Sequence, residues 1–506
     1  MIKTLPYKRL LLTVRWLAIF LVILTVFFLV KRDLVLSGHL FLSHDYLSPS
    51  PFFTELVPKQ RIATSEQGVL FLQEPVYTTF RYPRPFQNAD VTVEFKNPQN
   101  LFAEFGPQVD LPEIYDRHGL NHPEINQLLA EENWLRADEF LYQKKSSDYH
   151  YSDINQFWAG LPAQQQTGYY GVDWEKPFLP SFSENEVIDT HLNTPLIGRH
   201  NFLLATNKDT LEITFTLQDL NNLAGEDKVT VIAETWGGKI LAEEVLADDG
   251  VNKENSAVSV SSELSLSLSL NEPSVIRVRV IASDDILIHE IQLNTPYLVA
   301  EERIHLAGGP EYISEFGADR IQTVELTTSA RAWNMQTLHR STLQTVRLTK
   351  ETVKLDEPYK MYNYTTPKSD RFLLENGYPV FIEKGNMVMQ GKGVFALTAN
   401  SYFSPYPWLV DSTLDPDKIG LSYLVTDYAP PLEGEDGLFS QVYSIDLSKA
   451  FAPNKALRFQ WSLPGMDEQQ GFRLTSVSSE YTSESITFSN AKEKLLRFIK
   501  REFSYE

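Results

Sequence analysis

Alternation of apolar and polar residues runs through most of this chain, and no other feature limits its fold so tightly. Residues 210–217 (TLEITFTL) set Leu211, Ile213, Phe215 and Leu217 on one face and Thr210, Glu212, Thr214 and Thr216 on the other. Residues 264–270 read LSLSLSL, and 275–281 (VIRVRVI) set Ile276, Val278 and Val280 against Arg277 and Arg279. The pattern recurs at Val91/Val93/Phe95, at Leu457/Phe459/Trp461/Leu463 and at Phe472/Leu474. A period of two gives each strand one buried and one wet face, the requirement of antiparallel sheets packed as sandwiches. Gly237-Gly238 between VTVIAET and KILAEEV predicts a two-residue hairpin. Asp248-Asp249-Gly250 and Glu435-Asp436-Gly437 predict further turns.

One segment breaks the pattern. Leu10 to Val30 (LLLTVRWLAIFLVILTVFFLV) is interrupted by Thr13, Arg15 and Thr25 alone. As a helix it spans about 31 Å, the thickness of a bilayer core. Arg15 lies near its start and can reach the headgroups, and Trp16 suits the interface. Lys31-Arg32-Asp33 follows with no small-residue cleavage site, which favours an uncleaved signal anchor over a signal peptide. Basic residues at Lys3, Lys8, Arg9 and Arg15 keep residues 1–9 in the cytoplasm and put the body outside. With no cysteine and one glycosylation sequon, Asn363-Tyr364-Thr365, the body fits a bacterial or archaeal plasma membrane better than a eukaryotic surface.

The expected fold is therefore mainly β: a transmembrane helix at 10–30, then two or more antiparallel β-sandwich, jelly-roll-like modules. Residues 34–105 and 188–300 make a first sandwich region, and 311–488 a second, with a boundary at Gly308-Gly309-Pro310. Residues 106–187 lose the alternation and read as an aromatic-rich loop and helix insertion. Short helices are expected there at 123–143, opened by Pro123, and at DINQFWA, capped by Ser152. Residues 490–506 carry Leu495, Ile499 and Phe503 on one stripe, a basic amphipathic helix for a membrane surface or a partner. Segments 76–98 and 442–464 share a likeness: each opens on Val-Tyr and closes on an alternating strand and a proline.

Charge and composition narrow the function classes. A formal charge of −21, with a basic N-terminus, leaves a body that repels phosphate backbones, so no nucleic-acid partner is expected. The absence of cysteine excludes zinc ribbons, iron–sulfur clusters and thiol catalysis. No P-loop, no G-x-S-x-G elbow and no kinase signature is present. Gly391-Lys392-Gly393-Val394-Phe395-Ala396 fits the looser dinucleotide fingerprint, but its surroundings are β and a hairpin is expected instead. His118 and His122 are four apart, yet Gly119 and Pro123 oppose the helix that would pair them on a metal.

Two sets of residues remain as site candidates. Trp134 to Phe182 holds 12 aromatics in 49 residues, so Trp134, Trp158, Trp174, Tyr169 and Tyr170 are nominated as a stacking platform for sugar rings. The competing role is to pin the insertion onto a sandwich, and that role is expected for at least two of the three tryptophans. Acidic turns at Asp219/Asn221/Asn222, at Asp248/Asp249/Asn252 and at Asp411/Asp415/Asp417 offer oxygen ligands of the kind calcium takes, with Asp248, Asp249 and Asn252 foremost. No other cofactor is expected, and no catalytic residue can be nominated. The reading is a membrane-tethered, non-enzymatic protein whose partners are the lipid bilayer and an envelope glycan or protein; a polysaccharide-processing enzyme is the alternative.

Overall fold

The computed structural model describes residues 15–17, 20, 21, 35, 37–46 and 48–483, apart from 111–113, 183–188, 222–226, 249, 252–258, 308–322, 339–343, 367–374, 384–385, 412, 415–418, 465 and 467–470. The chain is mainly β, in several largely antiparallel sheets. The expected membrane span falls mostly outside the described residues. Arg15 and Trp16 are described, helical and exposed. Among the described residues no helix is long and apolar enough to cross a membrane. The C-terminal 490–506 and the boundary at 308–310 lie outside the described residues.

Strand pairing divides the body differently from the sequence expectation. One unit comprises 1–130 and 428–506, the other 131–427. In the first, Asn88–Lys96 lies between Leu438–Asp446 and Arg473–Thr482, and His39–His44 and Gly68–Phe71 extend the sheet. A second sheet pairs Val76–Arg81 with Ala456–Ser462 and that strand with Ala103–Asp110. Residues 34–105 thus share their sheets with 438–482 and not with 188–300. The reason is long-range pairing, which no local pattern reports. Phe80, Phe95, Phe105, Phe459 and Trp461 are fully buried in the shared core.

The likeness of 76–98 to 442–464 has a structural counterpart. Each segment is an arch that leaves one sheet and enters the other. Val76–Arg81 pairs with Ala456–Ser462, and Asn88–Lys96 with Leu438–Asp446, so the two arches pair reciprocally.

The second unit is built around one long strand pair, Tyr297–Leu306 against Met387–Ala396. On one side the layer continues through His200–Thr206, Ser274–Ile281, Val229–Thr235 and Ile240–Leu246. The Gly237-Gly238 hairpin joins the last two, with Gly238 at φ 79. Ser262–Ser269, Thr210–Asp219 and Ile286–Leu293 form a second layer. On the other side Met387–Ala396 pairs with Ala332–Thr337, and Val324–Thr328, Tyr378–Ile382, Gln344–Leu348 and Thr352–Leu355 form the opposing sheet. One continuous core, from Leu192 to Leu397, fills the whole. Phe202, Leu204 and Ala300 face this core, whereas Leu203, Ala205 and Val299 are equally buried on the opposite face. A strand covered on both faces loses its alternation, as the run Phe202-Leu203-Leu204-Ala205 shows.

That outer face is covered by residues 131–182 and 397–427. They form a mixed five-stranded sheet in the order Trp408–Leu409, Thr167–Tyr170, Tyr423–Thr426, Leu141–Lys144, Trp134–Arg136. The segment read as loops and helices is therefore partly a sheet, completed by strands from 408–426. Thr167–Tyr170 runs parallel to both neighbours, and its four residues are too few to display a period. The helix expected over 123–143 spans Pro123–Ala130, with Trp134–Arg136 and Leu141–Lys144 following as strands. The helix Ile154–Ala159 is capped by Asp153, whose side chain accepts from the Gln156 N–H at 2.9 Å, and not by Ser152.

Candidate functional site

Of the five nominated rings, four are core. Trp134 is 8% exposed, Trp158 6%, Trp174 5% and Tyr170 2%. Trp158 and Trp174 meet edge to face with centroids 4.5 Å apart, and Phe157 joins both. The Trp236 indole N–H donates to the Trp174 carbonyl at 2.7 Å. Burial of this kind leaves no face on which a sugar could stack; these rings hold the covering sheet together. Tyr169 is the exception, half-buried at the wall of a cleft.

This cleft, about 450 Å³, opens where the covering segments lie over the long strand pair. Its partly exposed rings are Tyr169, Tyr297, Tyr402, Tyr406 and Trp408, and the buried Phe403 also lines it. Specific bonds fix each wall. A reciprocal capping box between Thr398 and Ser401 closes the turn Ala399–Ser401 and sets the direction of Tyr402. The Gln164 amide donates to the carbonyls of Ser404 at 2.8 Å and Tyr406 at 2.6 Å. The Trp408 indole N–H donates to the Gln165 carbonyl at 2.9 Å, and the Tyr297 hydroxyl to the Ser181 carbonyl at 2.9 Å. Held by their polar edges, Tyr297 and Trp408 present apolar faces without losing further side-chain entropy on binding.

Charge in the cleft is balanced. The Arg331 guanidinium, 6% exposed, reaches Asp411 at 3.0 Å and donates to the Leu409 carbonyl; its Nη1 has no hydrogen-bond partner. The Tyr406 hydroxyl donates to Glu301, which Arg277 also holds at 3.2 Å. Burial, followed by the Glu301 charge, pushes the Tyr406 phenol far above its ordinary range. Burial does the same to Tyr169 and Tyr402, so all three remain neutral hydrogen-bonding phenols at physiological pH. Lys392 and Glu375 complete the charged lining, and no histidine contributes. Such a site can stack a ring and hydrogen-bond its hydroxyls, and it contains no arrangement of nucleophile and imidazole base.

Sequence reasoning missed Tyr297, Tyr402, Tyr406, Trp408, Arg331 and Lys392. One local signal existed: Tyr402 to Trp408 (YFSPYPW) packs four aromatics and two prolines into seven residues, denser than the segment nominated. The Gly391-Lys392-Gly393 motif forms neither a hairpin nor a helix start. It is an irregularity inside the strand Met387–Ala396.

A metal could be held elsewhere in this unit. Asp219, Asp227 and Asp285 are buried and bring carboxylate oxygens within 4.8 Å of one another. Carboxylates so close form an all-oxygen set of the type calcium takes. The sequence turns at 219–222 and 248–252 do converge here, since Asp248 accepts from the Asp227 N–H at 3.1 Å. Asp248 is nevertheless outside the trio and also caps its own turn by accepting from Gly250. Asp249, Asn252, Asn222, Asp415 and Asp417 lie outside the described residues. His118 pairs with Asp116 at 3.4 Å and His122 with Glu124 at 3.5 Å, in separate contacts.

No protein-family model matches the chain, and no curated protein does. Solved structures give low-scoring similarities. Dimeric latent PorU from Porphyromonas gingivalis is 11% identical, with 63% of this chain and 32% of that one covered, at a TM-score of 0.17. This chain thus spans about a third of that one. The T=1 particle protein of infectious bursal virus is 8% identical, with 94% and 91% covered, at 0.15. The CBM22-1–CBM22-2 tandem of Paenibacillus barcinonensis Xyn10C is 9% identical, with 55% and 82% covered, at 0.13.

Proposed function

We propose that this chain is a membrane-tethered, extracytoplasmic β-sandwich protein that binds a neutral glycan in the cleft of its second unit, without catalysing a reaction. The observation that carries the reading is the cleft lining: Tyr402 and Trp408 offer partly exposed rings, the latter pinned through its indole N–H, and amide, hydroxyl and charge-balanced groups surround them. Sugar rings have apolar faces and hydroxyl edges, and such a lining matches both. The residue 10–30 segment supplies the tether, and the acidic body suits a partner without phosphate.

Affinity electrophoresis and calorimetry of the detergent-solubilised full chain against xylan, mannan, galactan, β-1,3-glucan and polygalacturonate test the reading. Binding to at least one neutral polymer is expected, with Tyr402→Ala and Trp408→Ala each weakening it about tenfold, or about 1.4 kcal/mol, at unchanged melting temperature. Loss of the two rings without effect on binding would place the ligand elsewhere. Release of reducing ends from a bound polymer would instead make the cleft an active site.

A further inference from the structure

Two charged residues that line the cleft are held against each other, Arg331 and Asp411. Arg331 follows the turn after Val324–Thr328, which is clamped on the long strand Met387–Ala396. The Ser329 N–H donates to the Val394 carbonyl at 3.1 Å, and the Val394 N–H donates to the Ser329 hydroxyl oxygen at 3.0 Å. The Thr328 hydroxyl donates to the same carbonyl at 2.8 Å. Gly393 permits this approach, because a Cβ there would lie 2.6 Å from the Ala330 nitrogen. Asp411 comes from the covering segment, two residues after the short strand Trp408–Leu409. Its Oδ1 accepts from the Thr413 N–H at 2.8 Å and from the Thr413 hydroxyl. Each group is thus set by its own backbone before a ligand arrives.

The pair meets at 3.0 Å, Arg331 Nη2 on Asp411 Oδ1. The same Nη2 donates to the Leu409 carbonyl, so both contacts use one prong of the guanidinium fork. Nη1 is buried without a hydrogen-bond partner in a side chain 6% exposed. A buried charged donor left unpaired is costly, and its retention calls for an explanation. Asp411 makes its contacts through Oδ1; Oδ2 makes no hydrogen bond among the described residues, and the side chain is 24% exposed. One donor and one acceptor are left over, on touching residues of one cleft. The partner that best fits a guanidinium fork is a carboxylate, and Asp411 already takes half of that fit.

Resting on the glycan reading above, we infer that Arg331 and Asp411 are the charge-selective pair of the cleft: Asp411 stands on the guanidinium where a ligand carboxylate would otherwise bind, so the pair takes the hydroxyls of a neutral sugar and rejects a uronate. Asp411 Oδ2 accepts from one hydroxyl and Arg331 Nη1 donates to another, since a hydroxyl can play either part. A uronate carboxylate in the same place meets the Asp411 charge beside a buried wall, where repulsion is stronger than in bulk water. Lys392 and Glu375, one charge of each sign, leave this balance unchanged.

Calorimetry of the detergent-solubilised full chain compares the neutral polymer that wild type binds best with polygalacturonate. Wild type is expected to prefer the neutral polymer by about tenfold or more. Asp411→Asn keeps the shape of the side chain and the oxygen that faces Thr413, but it uncovers the Arg331 charge. This variant is expected to bind the neutral polymer about tenfold more weakly and polygalacturonate about tenfold more tightly than wild type. The gain should vanish at high ionic strength and in the Arg331→Met/Asp411→Asn double variant. A pair with a structural role alone would lower the melting temperature without exchanging the preference. An unchanged preference in Asp411→Asn, or equal affinity of wild type for both polymers, would overturn the pair and leave the glycan reading standing. Should Asp411→Asn fail to fold, deoxy analogues of the monosaccharide methyl glycoside on wild type decide. Loss of about tenfold on removal of a hydroxyl is expected, and a series in which no hydroxyl matters would overturn the pair. No binding of any neutral polymer by wild type would overturn both.

Discussion

His200 and His305 show what burial does to single titratable residues in the second unit. Both are nearly inaccessible, and the His305 backbone N–H donates to His200 Nε2 at 3.1 Å while the His200 Nδ1 faces the Gly198 carbonyl at 3.1 Å. That pattern fixes His200 as the neutral tautomer with its proton on Nδ1. Burial depresses His200 to about 3, helped by Arg303 and His305. Burial and the Arg303 charge depress His305 to about 4, against the opposing Asp284 carboxylate. His44 and His289 shift the same way for the same cause. The folded form therefore binds fewer protons than the unfolded chain between pH 6.5 and 4. Stability is present above 6.5 and falls as the pH drops, by about 1.4 kcal/mol per pH unit for each fully shifted histidine. Thermal melts from pH 7.5 to 5 are expected to decline steadily. A flat profile over that window would show the imidazoles to be solvated.

Elements in the first unit depend on partners far away in the chain. Asn88–Lys96 exchanges hydrogen bonds with Leu438–Asp446 on one edge and Arg473–Thr482 on the other, and Val76–Arg81 needs Ala456–Ser462. An alternating strand without neighbours exposes both its apolar face and its backbone groups. The second unit has no such debt, since each of its described strands pairs within 131–427. A chain ending after residue 427 is therefore expected to lose the first unit and keep the second. Calorimetry should then show a single transition at the temperature of the second unit, with residues 34–130 digested rapidly by protease. Two transitions, or protection of 34–130, would mean that the N-terminal strands find adequate partners among themselves.

On the scale of the whole molecule, charge and hydropathy are distributed unevenly along the chain. The first 33 residues are basic and largely apolar, and the remainder is acidic in sum, although residues 490–506 are again basic. Under the tethered reading proposed above, Lys3, Lys8 and Arg9 before the apolar segment hold the stem inward. Protease added to intact spheroplasts is expected to remove the body and leave a fragment of about the first 35 residues. Protection of the body, or recovery of a soluble form lacking residues 1–33, would contradict the tether.

Sequence alone determined the β class, because burial of one strand face imposes a period of two that can be read locally. It also located turns such as Gly237-Gly238, where a positive φ demands glycine. The opening of the helix at Pro123 was legible for the same local reason. The partners of 34–105, the sheet hidden in 131–182 and the burial of Trp158 and Trp174 were decided only by tertiary structure. The first two depend on residues some 240 to 440 positions away, and the tryptophans on packing against Phe157, Trp236 and each other; an aromatic ring carries no mark of whether it will meet solvent or another ring. The cleft belongs to the same class. Tyr169, Tyr402 and Lys392 come from three separate segments, and only the packing of those segments on one strand pair makes them a site.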